Sequence, residues 1–275
     1  MGVVNLTPDS FSRDGRLAGG IAPSSHVRFA KQLIAQGADI IDLGAESTRP
    51  GAQGISVKEE LDRLMPTLVK LAKTVKVPIS IDTYKSQVAR EALDAGASIV
   101  NNIMGTRVEN KSLFKMVRDY QAGIVLMHIR GNPRNMQKNI FYKNLLKEII
   151  QELEISIEKC LEIGIKKDRI IIDPGLGFAK TTQQNLEILR NLYRLHVLGC
   201  PVLIGPSRKS FIGYVLSKDV CQRLMGTAAA VSLGIGAGAH MVRVHDVAAI
   251  KDVVLVSDAI ISAKGGSQPR LISNC

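Results

Sequence analysis

The sequence predicts a single (β/α)8 barrel, which is a ring of parallel strands surrounded by helices. The first observation is a strict alternation of eight short apolar runs with eight segments of helical period. The second is the length of 275 residues, which suits one such barrel as a single domain. The third is that polar side chains follow the apolar runs, where barrels build their ligand sites. A doubly wound sheet would show a similar pattern until the eighth strand.

The predicted strands are short apolar runs that end at glycine or at polar residues. They cover residues 2–6, 38–44, 77–82, 97–102, 122–128, 169–173, 201–205 and 239–245. Helices are predicted near residues 24–36, 57–73, 85–95, 111–120, 143–163, 184–195, 210–236 and 247–263, with an interruption at 217–220. We expect the barrel to occupy residues 1–265 and a frayed tail to follow at 266–275. The chain starts almost inside its first strand, which suggests a preceding segment or a fused domain.

Composition narrows the classes of protein to which the chain can belong. There are 36 Lys and Arg against 25 Asp and Glu, so the formal charge of +11 favours anionic ligands. The basic residues are scattered and aromatic residues make up 4%, which argues against binding to nucleic acid. The four cysteines are far apart, which fits a reducing compartment without disulfides or structural zinc. No apolar run approaches a membrane span and no signal peptide is recognisable, so we expect a soluble, cytoplasmic protein with no membrane partner.

The predicted strand ends carry an unusually polar set of side chains. They are Asn5, Asp42, Glu46, Asp82, Asn101, Asn102, His128, Asp173, Ser207, Arg208, Lys209, Arg243 and His245. Because a barrel interior requires apolar side chains, a ring of polar groups at one face indicates a site. Its amides and carboxylates could hydrogen-bond the edge of a heterocycle. Arg49, Lys209, Arg243 and His245 would suit phosphate.

Each of these residues also has a purely structural interpretation. Asp173 precedes Pro-Gly, where an aspartate often only caps a turn, and the two interpretations have similar weight. His128 after an apolar strand is more typical of a hydrogen-bonded core residue than of a catalyst. Arg49 before Pro-Gly is typical of a surface turn, and Asp42 of a strand-end cap. Lys209 at a helix start opposes the helix dipole, which favours a functional role.

Six motifs together resemble the dihydropteroate synthase family of pterin-binding enzymes. They are NLTPDSFS at 5–12, ESTRPG at 46–51, SID at 80–82, DPGLGF at 173–178, SRKS at 207–210 and RVHD at 243–246. The resemblance spans practically the whole chain in order. It implies a TIM barrel transferase of folate synthesis and a target of sulfonamides. Such an enzyme condenses 6-hydroxymethyl-7,8-dihydropterin pyrophosphate with 4-aminobenzoate to give 7,8-dihydropteroate and pyrophosphate.

The resemblance also implies a role for individual residues. Pterin would bind to Asp82, Asn101, Asp173 and Lys209. Pyrophosphate would bind to Asn5, Arg49, Arg243 and His245, and Asn5 would also serve a Mg2+ ion held mainly by the phosphates. The 4-aminobenzoate pocket would be bordered by Phe11, Thr48, Pro50, Phe178 and Ser207. Asp173, Lys209 and Arg243 would be the catalytic residues, because they stabilise the charges that develop as pyrophosphate leaves.

The sequence departs from the family pattern in the first loop and at the end of strand four. Arg13 is inserted in the first loop, which makes the match of Asp14 to the family uncertain. Asn102 stands where the family usually has Asp, which removes a carboxylate expected beside the pterin pocket. The family also implies a homodimer through the last helices and, in some lineages, fusion to the preceding pyrophosphokinase. The rival interpretations are a corrinoid methyltransferase-like barrel and a homologue that binds pterin without catalysis.

Overall fold

A computed structural model describes residues 1–7, 22–105, 111–138 and 140–263. Its strands are all parallel to their neighbours and follow the order of the chain. A six-stranded sheet contains β1 (Gly2–Asn5), β2 (Ile41–Gly44), β3 (Ile79–Asp82), β4 (Ile99–Asn102), β5 (Gly123–Met127) and β6 (Ile170–Asp173). A second, two-stranded sheet contains β7 (Leu203–Ile204) and β8 (Met241–Val242).

Two isolated parallel bridges connect the two sheets. Ile172 of β6 pairs with Val202, next to β7, and Gly2 of β1 pairs with Val244, beyond β8. At the second junction the Val3 amide donates to the Val244 carbonyl and the Val244 amide to the Met1 carbonyl, both at 3.0 Å. The eight strands therefore follow one another as a (β/α)8 barrel requires, although a continuous ladder does not run across these junctions.

Strands β7 and β8 are shorter than predicted, with two residues each instead of five and seven. The proline at 201 has no amide hydrogen to donate to a ladder, and Gly205 with Pro206 ends the segment on the other side. Because β7 and β8 are this short, isolated bridges instead of a regular ladder join them to the six-stranded sheet.

Nine α-helices occur in the described residues. They are α1 (Pro23–Ala35), α2 (Val57–Ala72), α3 (Ser86–Asp94), α4 (Lys111–Asp119), α5 (Leu145–Ile163), α6 (Thr182–Arg190), α7 (Ser210–Leu216), α8 (Leu224–Gly236) and α9 (Val247–Ser262). The predicted interruption of the seventh helix is present and separates α7 from α8, because Ser217 adopts a left-handed conformation at the end of α7. None of the helices in the described ranges is both long and apolar enough to cross a membrane.

The sixth helix begins and ends earlier than predicted. It starts at Thr182 because Thr181 and Gln184 form a reciprocal capping box, which satisfies two amides of the first turn. It ends at Arg190, and Leu192–Leu198 form a 3-10 segment instead of the predicted continuation.

Side chains on the strands alternate between two apolar clusters. The outward side chains, such as Leu43, Ile81, Val100, Leu126 and Ile172, pack against the helices in the main core. The inward side chains form a separate cluster, which we call the inner apolar layer: Met1, Ile40, Ile99, Val125, Ile171, Leu203 and Met241. At the carboxyl end, the inward positions two residues beyond Ile40, Ile99, Ile171 and Met241 of this layer are polar. Asp82 is in register with Asn101, and Asn5 is in register with Gly44, the partner of Asp82. We call this polar set the mouth residues: Asn5, Asp42, Asp82, Asn101, Asp173 and Arg243.

Candidate active site

Arg243 is the centre of a charged network at the mouth of the barrel. Its Nε donates to Asp42 Oδ2 at 2.6 Å and its Nη2 to Asp82 Oδ2 at 2.9 Å. Asn101 Nδ2 donates to Asp42 Oδ2 at 3.2 Å. Asp42 is fully buried, whereas the Arg243 side chain is 21% exposed. Two strands, β2 and β3, thus meet at the Arg243 guanidinium group next to β8, and β4 joins this network through Asp42.

Burial shifts the protonation of the residues around Arg243. It raises the pKa of Asp82 to about 7; Arg243 opposes this shift and the nearby Asp42 adds to it. Burial likewise raises the pKa of Asp173. The pKa of Lys209 is lowered to about 8, first by burial and then by repulsion from Arg243. The pocket therefore contains an acid and a base that titrate close to neutral pH, as candidate active sites often do.

Asp173 both caps its turn and faces the mouth. Its Oδ1 accepts the Gly175 amide at 2.7 Å, which confirms that Asp173 caps the turn. Gly175 has a φ of +70°, and a Cβ there would lie 2.0 Å from the His128 carbonyl oxygen, so only glycine fits. Lys209 and Arg243 both act electrostatically on the Asp173 carboxyl group. The turn thus presents this carboxyl group to the two cations.

The SRKS loop directs Lys209 towards Phe178. Arg208 has a φ of +58°, which is unusual for a residue with a side chain. Its guanidinium pairs with Asp246, with Nε 2.8 Å from Oδ2, and its carbonyl accepts Arg223 Nη1 at 3.1 Å. Lys209 follows as the N-cap of α7, and its Nζ lies 4.0 Å from the centroid of the Phe178 ring. This cation–π contact joins a predicted pterin residue to a predicted 4-aminobenzoate residue.

Ser207 and His245 form a second polar pair. The Ser207 hydroxyl oxygen accepts the His245 backbone amide at 3.2 Å and lies 3.0 Å from Nδ1. Burial, with Arg243 and Arg208 nearby, lowers the pKa of His245 to about 4, so the ring is neutral at pH 7. When the hydroxyl hydrogen is given to Nδ1, the ring proton must be on Nε2. His245 is then a neutral donor for an anion.

The ESTRPG loop is anchored to the loop after β3. Glu46 accepts the Tyr84 hydroxyl at 2.8 Å and pairs with Lys85, whose Nζ also lies 2.5 Å from the buried Glu60 carboxylate. The Gly51 amide donates to the carbonyl of Pro133, beyond β5, at 3.0 Å. The predicted ligands on this loop are the half-buried Thr48 and the exposed Arg49 and Pro50. The anchors hold the loop at the rim, and within the described residues these three side chains form no hydrogen bond or ion pair with Arg243.

Most of the predicted site residues are brought together. Asp82, Asn101 and Arg243 share one network, Lys209 contacts Phe178, and Ser207 contacts His245. Asn5 is in register with Gly44, which is itself in register with Asp82. Phe11, Arg13 and Asp14 lie outside the described residues.

Asn102 lies on the opposite side of β4 from Asn101. It is in register with Leu126, which belongs to the helix-facing core, and it is fully buried. Its Oδ1 accepts the Met104 amide at 3.0 Å. The expected loss of a carboxylate beside the pterin pocket is therefore wrong, because position 102 shapes the turn after β4 and does not face the mouth.

Asp42 belongs to the polar set predicted at the strand ends, where a strand-end cap was its structural alternative and no ligand was assigned to it. In the structure its side chain pairs with Arg243 and Asn101 inside the barrel. The alternation of β2 contained the signal, because Asp42 is two residues beyond Ile40 of the inner apolar layer. His128 is fully buried and makes polar contacts with its neighbours, as expected for a core residue.

The described residues contain no group of three His, Cys, Asp or Glu placed to hold a metal ion. Asp42 and Asp82 are paired with Arg243, and Asn5 offers one neutral oxygen. This donor set suits a hydrated Mg2+ ion whose remaining ligands come from a bound diphosphate, and it does not suit a closed protein cage.

A barrel with a polar mouth above an apolar interior defines a class of enzymes that bind small polar molecules at the strand ends. The family model described as "Pterin binding enzyme" matches residues 1–245. A dihydropteroate synthase from Synechocystis is 46% identical over 261 residues, with 94% of this chain and 89% of that protein covered.

Two solved structures extend the comparison. Dihydropteroate synthase from Yersinia pestis, with a sulfonamide drug complex, is 36% identical, has a TM-score of 0.89, and covers 96% of this chain and 94% of its own. The Xanthomonas albilineans enzyme with 4-aminobenzoic acid is 39% identical, has a TM-score of 0.88, and covers 96% and 93%. The chain belongs to the dihydropteroate synthase family of pterin-binding enzymes.

Proposed function

We propose that this chain is a transferase that condenses 6-hydroxymethyl-7,8-dihydropterin pyrophosphate with 4-aminobenzoate and releases pyrophosphate. The observation that carries the proposal is the position of two buried carboxyl groups, Asp82 and Asp173, beside Lys209 at the end of the barrel. A pterin edge presents several N–H donors and ring acceptors. Carboxylates accept from the donors while a lysine covers an acceptor, so this set of groups complements the heterocycle.

The pterin would enter along the barrel axis, with Asp82, Asn101, Asp173 and Lys209 around its edge. Asp82, Asn101 and Asp173 are buried and Lys209 is half-buried, so a ligand lacking the matching donors would leave charges unpaired. The inner apolar layer ends the pocket below. Pterin recognition is thereby separated from the loops that bind the second substrate.

The pyrophosphate would lie at the rim, near Arg243, the neutral His245 and Arg49. Arg243 is held by Asp42 and Asp82 and still exposes part of its side chain. Mg2+ would enter as part of the diphosphate complex, with Asn5 as a protein ligand, and would neutralise charge on the leaving group. Its binding is testable by calorimetry with and without pyrophosphate.

The reaction exchanges a C–O bond for a C–N bond. The bond from the pterin methylene to the diphosphate breaks, and the electron pair leaves with the diphosphate. The resulting pterin cation is stabilised by resonance and by the negative charge of Asp173. The amine nitrogen of 4-aminobenzoate then gives its lone pair to the methylene and loses one proton. No covalent enzyme intermediate is required.

The 4-aminobenzoate would bind where Phe178 and Ser207 border the mouth, with Thr48, Pro50 and Phe11 as further contacts. Phe178 is buried in a cluster with Met104, Met127 and Met136, which gives an apolar wall. Sulfonamides would compete for this pocket, as the complex of the Yersinia pestis relative suggests.

A coupled assay for pyrophosphate release tests the proposal. Release should require both the dihydropterin pyrophosphate and 4-aminobenzoate, and a sulfonamide should inhibit it competitively with 4-aminobenzoate. A corrinoid methyltransferase-like barrel would instead release no pyrophosphate under these conditions. Pterin binding by calorimetry without any release would identify a homologue that only binds pterin.

A homodimer through α8 and α9 is part of the proposal. Large apolar side chains are exposed on these helices, among them Met225, Leu233, Leu255 and Ile260. Light scattering should give twice the chain mass. Leu233→Glu should yield monomers, whereas Ile155→Glu, on an exposed position of α5, should not. A monomeric wild-type protein at all concentrations would refute this part. Fusion to a pyrophosphokinase and a cytoplasmic location stay predictions.

A further inference from the structure

Lys180 is a buried lysine to which the proposed reaction gives no role. Its side chain lies behind the β6 turn, and the residue is only 3% exposed. The Nζ atom donates to the Phe178 carbonyl at 2.9 Å and lies 3.0 Å from His128 Nδ1. Burying an ammonium group is costly unless hydrogen bonds and opposite charges compensate. The surroundings of Lys180 should therefore show that compensation.

The compensation runs from Lys180 through His128 to α5. His128 Nε2 lies 3.1 Å from Glu152 Oε2, and Glu152 also pairs with Arg130. Burial and the neighbouring Lys180 lower the pKa of His128 to about 4, so its ring is neutral. Burial raises the pKa of Glu152, but hydrogen bonds from His128 and Arg130 outweigh it and lower the value to about 2. Lys180 can then donate to Nδ1, which leaves the ring hydrogen on Nε2, the atom that faces the Glu152 carboxylate.

On its other side, Lys180 contacts the turn that carries Asp173. The Cβ position of Gly175 lies 3.4 Å from Lys180 Nζ, and the Gly175 amide is the donor to the Asp173 carboxylate. The His128 amide donates to the Asp173 carbonyl at 2.9 Å. Lys180 thus packs against the glycine that orients Asp173.

Lys180 also fixes the residue that contacts Lys209. Its ammonium binds the backbone carbonyl of Phe178, and the Phe178 ring lies under Lys209 Nζ. One buried group therefore binds the backbone of Phe178 and lies beside Gly175. The first supports the pterin carboxylate, and the second supports the wall of the 4-aminobenzoate pocket.

We propose that Lys180 is a positioning residue of the active site, which acts with His128 and Glu152 to hold the β6 turn so that Asp173 and Phe178 keep their places. The proposal rests on the proposed synthase activity. Lys180 needs no contact with either substrate. Its neutral amine would retain two hydrogens for the same two acceptors, so the positioning does not depend on its charge.

The first test replaces Lys180 by Met, which keeps the length of the side chain and removes its donors. We expect kcat/KM for the dihydropterin pyrophosphate to fall about 30-fold, in the range known for residues that orient ligating groups. The KM for 4-aminobenzoate should rise as well, because Phe178 loses its support. The melting temperature should change little, since an expensive buried charge is removed together with its hydrogen bonds.

The second test changes the far end of the Lys180–His128–Glu152 series by Glu152→Ala, and Glu154→Ala is the matched control. Both residues are on α5, but Glu154 is exposed, whereas Glu152 Oε2 lies 3.1 Å from His128 Nε2. Glu152→Ala should lower kcat/KM about fivefold and Glu154→Ala less than twofold. In the Lys180→Met background Glu152→Ala should have no further effect, because residues that act through one another are not additive.

The outcomes separate the inference from the activity on which it rests. Normal kinetic constants for Lys180→Met in an active wild-type background would overturn the positioning role. A lower melting temperature with unchanged KM and kcat would also overturn it, as would additive effects in the double variant. If Lys180→Met does not fold, Glu152→Ala against Glu154→Ala decides. If the wild-type protein shows no turnover, the synthase proposal fails instead, and calorimetric affinity for dihydropterin pyrophosphate tests Lys180→Met directly.

Discussion

The inner apolar layer and the mouth residues lie close together on β2, β4 and β6, but they have opposite effects on the stability of the fold. Ile40, Ile99 and Ile171 fill the barrel interior, whereas Asp42, Asn101 and Asp173 are their next inward neighbours. The layer gains free energy by removing apolar surface from water. The mouth loses free energy, because burial raises the pKa of the Asp82 and Asp173 carboxyl groups, which therefore ionise less readily than they would in water.

On β2, β4 and β6, residues for stability and residues for recognition are therefore only two positions apart. Substitutions in the layer should change unfolding without changing the chemistry of folded molecules. Substitutions at the mouth should change the chemistry with little cost to the fold. Four experiments can break or sharpen that division.

The largest effect is expected for Asp173→Asn. The amide retains an oxygen for the Gly175 amide but loses the negative charge that would stabilise the pterin cation. Turnover should fall by about 10² to 10³, the range for removal of one electrostatic contact to a transition state. Pyrophosphate release and thermal unfolding should be measured together. Near-normal activity would refute the role assigned to Asp173.

Leu203→Ala should have the opposite pattern of effects, with a less stable fold and normal turnover by the folded molecules. Leu203 is fully buried in the inner apolar layer, so its truncation should destabilise the fold by about 3 kcal/mol. Urea unfolding measures the loss, and kcat per correctly folded molecule should stay near that of wild type. A large drop in kcat at unchanged stability would show that the layer also serves the site.

The pH profile should report the charged groups of the mouth. Asp82 must be ionised to accept pterin hydrogens, so kcat/KM should fall about tenfold per pH unit below its pKa of about 7. Lys209 must be protonated to donate, so kcat/KM should fall again above about 8. Steady-state kinetics between pH 5.5 and about 9.5, with circular dichroism to verify folding, tests this bell shape. A flat profile would contradict the assigned charge states.

The smallest effect is expected for Asp42→Asn. The amide oxygen can still accept from Arg243, but the guanidinium loses one of its two ionic partners. Arg243 should then be less well oriented for pyrophosphate, and KM for the pterin substrate should rise about fivefold. Asp39→Asn is the control, because Asp39 pairs with Lys251 on the outside of the barrel. Equal effects of the two variants would remove Asp42 from the site.

Local pattern predicted the order and type of the elements well. Apolar runs that end in polar residues identified the strands, and helical periodicity identified the helices to within a few residues. Errors occurred where proline limits hydrogen bonding, as in β7, and where the Thr181–Gln184 capping box starts α6. Capping and backbone donors are local features, so these boundaries were in principle readable.

The site was predictable as a set of positions but not as a set of contacts. Asp82, Asn101 and Asp173 lie at strand ends as predicted, and the family resemblance suggested what they bind. The alternation of side chains along each strand places Asn102 on the helix side and Asp42 on the inside. The sequence pattern did not indicate that Lys180 is buried near the site, because a lysine in a loop is normally exposed.

The sequence by itself determined the alternating strands and helices, the apolar interior and the polar residues at one end of each strand. These follow from short-range spacing, which governs which face of an element is buried. Only the tertiary structure decided that Arg243 pairs with Asp42, 201 residues away, and that Lys180 lies behind Asp173. Such contacts depend on how the strand ends converge when the barrel forms, and burial there sets the ionisation of each group. The spacing of residues along the chain determines neither how the strand ends converge nor how deeply each group is buried.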